Sequence, residues 1–211
     1  MSIDREVAKV LLDSLCLQLS PSEPFTYASG LRGPIYCDNR QLLSLPVARK
    51  VIIDGFVEAL KESGWQFDQL AGLATAGIPH CAFVAHELDL PMIYIRSKAK
   101  GHGKQNQVEG KYEPGQKVIL IEDLVNQGKS LGEAIEATLA AGLVPVGCLT
   151  IVTYEMARAQ EVLNKFKIPL ISLTNFSTIV DLALEQKNIS AEEKDMLISW
   201  QADPVSWSSK V

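Results

Sequence analysis

The feature that most constrains this chain is the stretch from Val118 to Ser130, which reads V-I-L-I-E-D-L-V-N-Q-G-K-S. A short apolar run ends in two adjacent carboxylates, Glu122 and Asp123. A polar turn with one glycine follows, and Leu131, Ala134, Ile135 and Leu139 then recur at helical spacing. Strand, acidic tip, glycine turn and helix N-terminus in that order form a junction where open α/β sheets bind ligands. The exposed N–H groups of a first helical turn, with the helix dipole behind them, suit a phosphate. Two carboxylates would repel that phosphate, so they must face something else, such as sugar hydroxyls or a metal. The combination points to a phosphorylated sugar rather than a bare nucleotide phosphate. Gly128-Lys129-Ser130 does not end a Walker A loop, because the glycine required five residues before Gly128 is replaced by Asp123.

Composition narrows the setting. A chain of 211 residues suits one domain with an elaboration, or at most two small ones. Its net charge of -5 argues against a protein that coats nucleic acid, since such domains are usually basic. Cys16, Cys37, Cys81 and Cys148 lie far apart, without a C-x-x-C pair or histidines at zinc spacing, which suggests reduced thiols in a cytoplasmic protein. No apolar run reaches the roughly 18 residues that would span a bilayer, and the first residues lack a signal-peptide pattern. Neither a membrane nor a nucleic acid is therefore expected as a partner.

Read in order, residues 3–19 carry Ile3, Val7, Val10, Leu11 and Leu15 at helical spacing, with Pro21 and Pro24 ending the helix. Tyr27 and Ile35 to Cys37 look like strand, joined by a hairpin turn over residues 29–34. Asp38-Asn39-Arg40 directly follows a strand, and both a turn with a helix cap and a functional role are open for it. Pro46 suits the first turn of a helix to Ser63, with Val47, Val51, Ile52, Phe56, Ala59 and Leu60 inward and Gly64 as its stop. Residues 70–74 form a short buried strand, and Thr75 to Pro79 turn into a helix through Leu88. That is a second strand–glycine–helix junction able to hold an anion. Further strands are expected over 91–95, 144–152 and 169–173, and helices over 156–166, 175–186 and 190–200, the last opened by a Ser190-x-x-Glu193 capping box. Alternation at this rhythm implies an α/β protein with a mostly parallel sheet and helices on both faces.

Residues 96–115 break the rhythm. They hold four glycines, five Lys/Arg and only two acids inside an acidic chain. A long segment of this kind is either a solvated excursion or a mobile lid that brings cations onto an anionic substrate. His80 and His86 fall in a helix and read as packing residues. His102, between Gly101 and Gly103, has no core to join and reads as functional. Trp65, Trp200 and Trp207 read as packing.

The Glu122 to Ser130 stretch resembles the signature of type I phosphoribosyltransferases. Within them, Phe25 to Arg40 (F-T-Y-A-S-G-L-R-G-P-I-Y-C-D-N-R), Gly72 to His80 (G-L-A-T-A-G-I-P-H) and Tyr94 to Gly110 (Y-I-R-S-K-A-K-G-H-G-K-Q-N-Q-V-E-G) resemble orotate phosphoribosyltransferases, over roughly residues 7–200. The resemblance implies a type I phosphoribosyltransferase fold: a mostly parallel twisted sheet flanked by helices, with a small hood and a flexible lid. It implies one domain over residues 1–211, with a hood of about 1–45, a core of about 46–185 and C-terminal helices over about 175–203.

The activity so implied is transfer of the 5-phosphoribosyl group from 5-phosphoribosyl 1-diphosphate (PRPP) to orotate. The products are orotidine 5′-monophosphate and pyrophosphate, within pyrimidine biosynthesis. Mg²⁺ is the implied cofactor, carried by PRPP without an assigned protein ligand. The implied assembly is a homodimer whose lids cross between subunits. Lys100, His102 and Asp123 are the catalytic candidates. Arg96, Lys100 and His102 would hold the pyrophosphate, and Glu122, Asp123, Leu124, Val125, Asn126, Gln127, Gly128, Lys129 and Ser130 the ribose 5-phosphate. Asn126, Tyr36 and Cys37 are candidates for orotate. Asn126, Gln127 and Lys129 depart from the residues usual in the family. This keeps two alternatives in view, transfer to another base and a PRPP- or nucleotide-sensing protein without chemistry.

Overall fold

A computed structural model of the chain describes residues 2–97 and 107–210. In chain order it runs α1 (Ile3–Asp13), β1 (Leu17–Leu19), β2 (Phe25–Thr26), β3 (Arg32–Gly33) and β4 (Ile35–Cys37), followed by a 3-10 helix over Asn39–Ser44. It continues α2 (Pro46–Glu62), β5 (Gln69–Leu73), α3 (Gly77–Glu87), β6 (Met92–Ile95), β7 (Val108–Glu109), β8 (Lys117–Val125) and α4 (Lys129–Ala140). The chain closes with β9 (Val144–Thr153), α5 (Ala157–Phe166), β10 (Leu170–Asn175), α6 (Phe176–Glu185), α7 (Ala191–Ala202) and α8 (Pro204–Ser208).

Six strands form one sheet in the order β10-β9-β8-β5-β6-β7, parallel except for β7. The order reverses between β5 and β8, because the chain leaves β5 for β6 on one side and returns to β8 on the other. Successive residues of β8 point to opposite faces. Ile119 and Ile121 join the core beneath α1, α2, α3, α6 and α7, whereas Val118 and Leu120 join the core beneath α4 and α5. Both faces are covered, which is why β8 reads as an unbroken apolar run rather than an alternating one. The helix after β5 and the helix after β8 thus lie on opposite faces, and a crevice opens at the strand ends between them.

The N-terminal segment departs from the sequence expectation. The helix expected over residues 3–19 stops at Asp13, Leu15 takes a left-handed φ of 58° and stands exposed, and Leu17–Leu19 becomes a strand. Its antiparallel pairing with Ile35–Cys37 overrides the helical spacing of the apolar residues. The hairpin forms with other partners than expected: Arg32–Gly33, expected in the turn, pairs with Phe25–Thr26, Tyr27 lies inside the turn, and Ile35–Cys37 is taken by β1 instead. Tyr27 Oη donates to the Ile35 carbonyl at 2.5 Å. Val47 points outward at 83% exposure, because it lies in the first turn of α2 on the side away from the sheet. His80 is buried as expected, but His86 is exposed near the end of α3. The short helix α8 was not anticipated; Ser208 Oγ accepts from the Arg32 N–H at 2.8 Å and ties the C-terminal end to the hood.

Other expectations hold closely. Pro46 starts α2, Gly64 (φ 66°) follows its end, and Ser190 and Glu193 form a complete capping box. Trp200 packs with Tyr154 and Phe176 at ring distances of 5.8 and 6.0 Å, and Trp207 is buried. Among the described residues no helix is long and apolar enough to cross a membrane.

Phe56 is fully buried on α2 in the larger core. Phe56→Ala is expected to lower stability by about 3–5 kcal/mol, the usual cost of lost burial plus a cavity. Urea unfolding measures it as a reduced midpoint with an unchanged slope.

Candidate active site

A cavity of about 640 Å³ opens at the strand ends on either side of the β5/β8 switch point. Its lining comes from four stretches: Cys37, Asp38 and Arg40 after β4; Ala74 to Ala76 after β5; Glu122 to Leu124 at the end of β8; and Asn126 to Ser130 with Glu133 at the start of α4. Two close backbone approaches hold these stretches together. A side chain at Gly77 would collide with the Ile121 carbonyl oxygen, so the start of α3 lies directly against β8. Gly128 has φ 76°, and a Cβ there would lie 2.9 Å from the Ala159 Cα. Glycine is needed at 128 twice over, for the left-handed turn and for contact with α5.

The turn places the first helical N–H groups of α4 at the cavity. These groups have no partner within the helix, and the positive end of the dipole lies among them. Lys129 and Ser130 are exposed there, and Gln127 Oε1 accepts from Arg158 Nη1 at 3.4 Å. Ala76 caps α3 without a side-chain hydrogen bond, so a second set of helix-end N–H groups adjoins the same space.

The two acids differ in environment. Glu122 is 6% exposed and its Oε1 accepts the Asp123 backbone N–H at 2.9 Å. Burial pushes its carboxyl well above the ordinary 4.5, and the neighbouring Asp123 charge pushes it the same way. Glu122 is therefore the deeper and more readily protonated of the two acids, while Asp123 is partly exposed on the cavity wall, where a ligand can reach it. The Asp123 carbonyl in turn accepts from Asn39 Nδ2 at 2.9 Å. Asn39 is fully buried, and its Oδ1 accepts from Cys37 Sγ at 3.3 Å. One amide thus clasps the hood to the acidic tip.

The remaining candidates fall into place unevenly. Leu124, Asn126, Gln127, Gly128, Lys129 and Ser130 all line the cavity, while the Val125 side chain is 1% exposed and can contribute only through its backbone. Asn126 Oδ1 is buried without a protein partner among the described residues, an acceptor that a ligand hydroxyl would satisfy. Cys37 lines the cavity, but burial first and then the Asp123 charge push its thiol far up, which makes it a donor and not a nucleophile. Tyr36 is not among the lining residues; it is on the opposite side of β4 from Cys37, with its ring 5.6 Å from that of Phe25. Arg96 borders an adjoining cleft of about 30 Å³ that shares Ala74, Glu122, Ser130 and Glu133 with the main cavity, and it pairs with Glu109 at 3.5 Å. Lys100 and His102 lie outside the described residues. Glu133 was not foreseen, although its position four residues after Lys129 puts both on one helix face. The Asn39 clasp has no local sequence sign, since its two ends are far apart in the chain.

A cavity at a topological switch point, with a helix N-terminus on one side and an acidic pair on its floor, defines a class. The phosphoribosyl transferase domain family matches residues 39–187, and the chain belongs to that family. Within it the chain stands among the orotate phosphoribosyltransferases. It is 46% identical to the orotate phosphoribosyltransferase of Enterococcus faecalis over 205 residues, covering 97% of this chain and 98% of that one. It is 44% identical to that of Listeria monocytogenes over 207 residues, covering 98% and 99%. The crystal structure of orotate phosphoribosyltransferase from Aeropyrum pernix superposes with a TM-score of 0.73 at 30% identity, covering 86% of this chain and 98% of that one.

The raised carboxyl of Glu122 has a consequence for stability. An acid whose pKa rises on folding stabilises the fold fully below its unfolded value and loses that contribution as pH rises through the folded value. Glu122→Gln should therefore be more stable than the parent chain at about pH 8, with the difference gone near pH 4. Thermal unfolding across that range checks it.

Proposed function

We propose that this chain catalyses transfer of the 5-phosphoribosyl group from PRPP to orotate, yielding orotidine 5′-monophosphate and pyrophosphate. The observation that carries the reading is the single cavity shared by the α4 N-terminus and the Asp123 carboxylate. That pairing suits a ligand that is phosphate at one end and a hydroxyl-bearing sugar next to it.

The chemistry follows from where charge develops. Breaking the C1–O bond of PRPP leaves positive charge on the ribose ring and negative charge on the departing diphosphate. Asp123 accepts hydrogen bonds from ribose hydroxyls and favours the ring cation. Glu122, buried beside it, accepts the Asp123 N–H and holds the tip in place. The loop from Asn126 to Ser130 would bind the 5-phosphate, with Leu124 and Val125 setting its backbone path. Arg96, Lys100 and His102 would meet the diphosphate. Arg96 would exchange its pairing with Glu109 for diphosphate oxygens. No side-chain nucleophile is required. Phosphate affinity at the helix end contributes to binding, whereas the groups aimed at developing charge contribute to rate.

Mg²⁺ fits this donor set. A hard cation takes carboxylate and phosphate oxygens together and keeps most of its coordination for substrate and water. Asp123 would supply the protein oxygen, and the bound ion would draw negative charge from the leaving diphosphate. Asn126 and Cys37 are proposed on the base side, with Tyr36 supporting them through its packing on Phe25. A homodimer with crossing lids is proposed as the working unit, and the cytoplasm as its setting. A reducing compartment suits four unpaired cysteines.

With Mg²⁺ and PRPP, the chain should consume orotate and release pyrophosphate; a panel of bases in which another is turned over and orotate is not would overturn the assignment. Lys100→Ala should lower kcat by about 10²–10³ while KM for PRPP changes far less, as expected of a group acting on the transition state. Equal losses in both would make Lys100 a binding residue. Mixing Lys100→Ala with Asp123→Asn subunits should restore part of the activity if lids cross; confirmed subunit exchange without recovery would count against a shared site.

A further inference from the structure

Four stretches line the cavity, and the proposed reaction accounts for three of them. The α4 N-terminus takes the 5-phosphate, the acidic tip of β8 takes the ribose, and the start of α3 offers N–H groups to a second anion. The fourth, Cys37 to Arg40, remains for the base. It is fixed to the sugar site by the Asn39 to Asp123 clasp at 2.9 Å.

Orotate differs from uracil only in carrying a carboxylate, which is ionised at neutral pH. Such a group needs a cation, and this cavity is otherwise acidic. Among its described lining residues are Asp38, Glu122, Asp123 and Glu133, against Arg40 and Lys129. Lys129 is the first residue of α4 and belongs to the phosphate loop. Arg40 is the cation on the base wall. Asp38 Oδ1 accepts from Arg40 Nε at 2.5 Å and from its backbone N–H at 3.3 Å. That pairing holds the Asp38 carboxyl below its ordinary range, so it stays an anion and a fixed anchor. Because Asp38 engages Nε, the outer edge formed by the two Nη groups is left to bind a second carboxylate in bidentate fashion. The side chain is 62% exposed beside the cavity, so a ligand can reach it without displacing core residues.

Resting on the orotate reading, we infer that the Arg40 guanidinium, oriented by Asp38, binds the carboxylate of the base and sets the preference for a carboxylated pyrimidine. Lysine could supply charge there but not the planar fork, so it is an informative replacement.

The test compares orotidine 5′-monophosphate with uridine 5′-monophosphate as inhibitors competitive with PRPP, two nucleotides that differ only in the carboxylate. The parent chain, Arg40→Ala and Arg40→Lys are assayed alongside KM for orotate and for PRPP. In Arg40→Ala the preference for orotidine 5′-monophosphate should fall by about 10–100-fold, and KM for orotate should rise by the same factor. KM for PRPP and inhibition by uridine 5′-monophosphate should stay within about twofold, and Arg40→Lys should lie between. Retained uridine 5′-monophosphate inhibition also reports a folded site. The inference is overturned if Arg40→Ala keeps the preference, which would move the carboxylate to another cation, or if both nucleotides weaken equally, which would make Arg40 a structural residue. Failure of the parent chain to use orotate at all is a separate result, and it would sink the proposed function rather than the role of Arg40.

Discussion

Everything at the site depends on the parallel pairing of β5 with β8 at the centre of the sheet. Parallel neighbours end on the same edge, so the turns that follow them meet. Because the strand order reverses between these two, α3 and α4 leave on opposite faces and cannot close the gap. Two helix N-termini and an acidic pair are thereby brought to one crevice. The packing that enforces it is ordinary burial of Ile119, Ile121, Val118 and Leu120 on both faces of β8. Gly77 then decides how close α3 comes, and Gly128 how the chain turns into α4.

The acidic tip shows how one scaffold can give two adjacent carboxylates different tasks. Both acids line the cavity, but Glu122 is buried, where charge is disfavoured, and Asp123 is partly exposed. A site with both acids ionised would repel a phosphorylated ligand more strongly than one in which the deeper acid retains a proton. The same burial makes Cys37 a poor nucleophile, which suits a reaction that proceeds by charge stabilisation rather than by a covalent intermediate.

The hood is where local pattern and tertiary structure part company. Residues 3–19 have helical spacing throughout, yet only Ile3–Asp13 is helical, because Leu17–Leu19 gains a strand partner in Ile35–Cys37 that lies well along the chain. That partner also positions Asp38 to Arg40. Their place on the cavity wall follows from the clasp between Asn39 and the Asp123 carbonyl, a contact between residues 84 positions apart. No window of sequence contains both ends of it.

What the sequence determined by itself was the run of buried strands and glycine turns, the acid pair ahead of a helix N-terminus, and from these the α/β class and a phosphorylated sugar as ligand. Periodicity and turn chemistry are local, and the backbone obeys them wherever no distant partner competes. The tertiary structure decided which of the two acids is buried, which face of β4 meets the cavity, and that Arg40 stands on the wall left for the base. Each of those depends on burial or on pairing between distant segments, and neither is defined until the chain has folded.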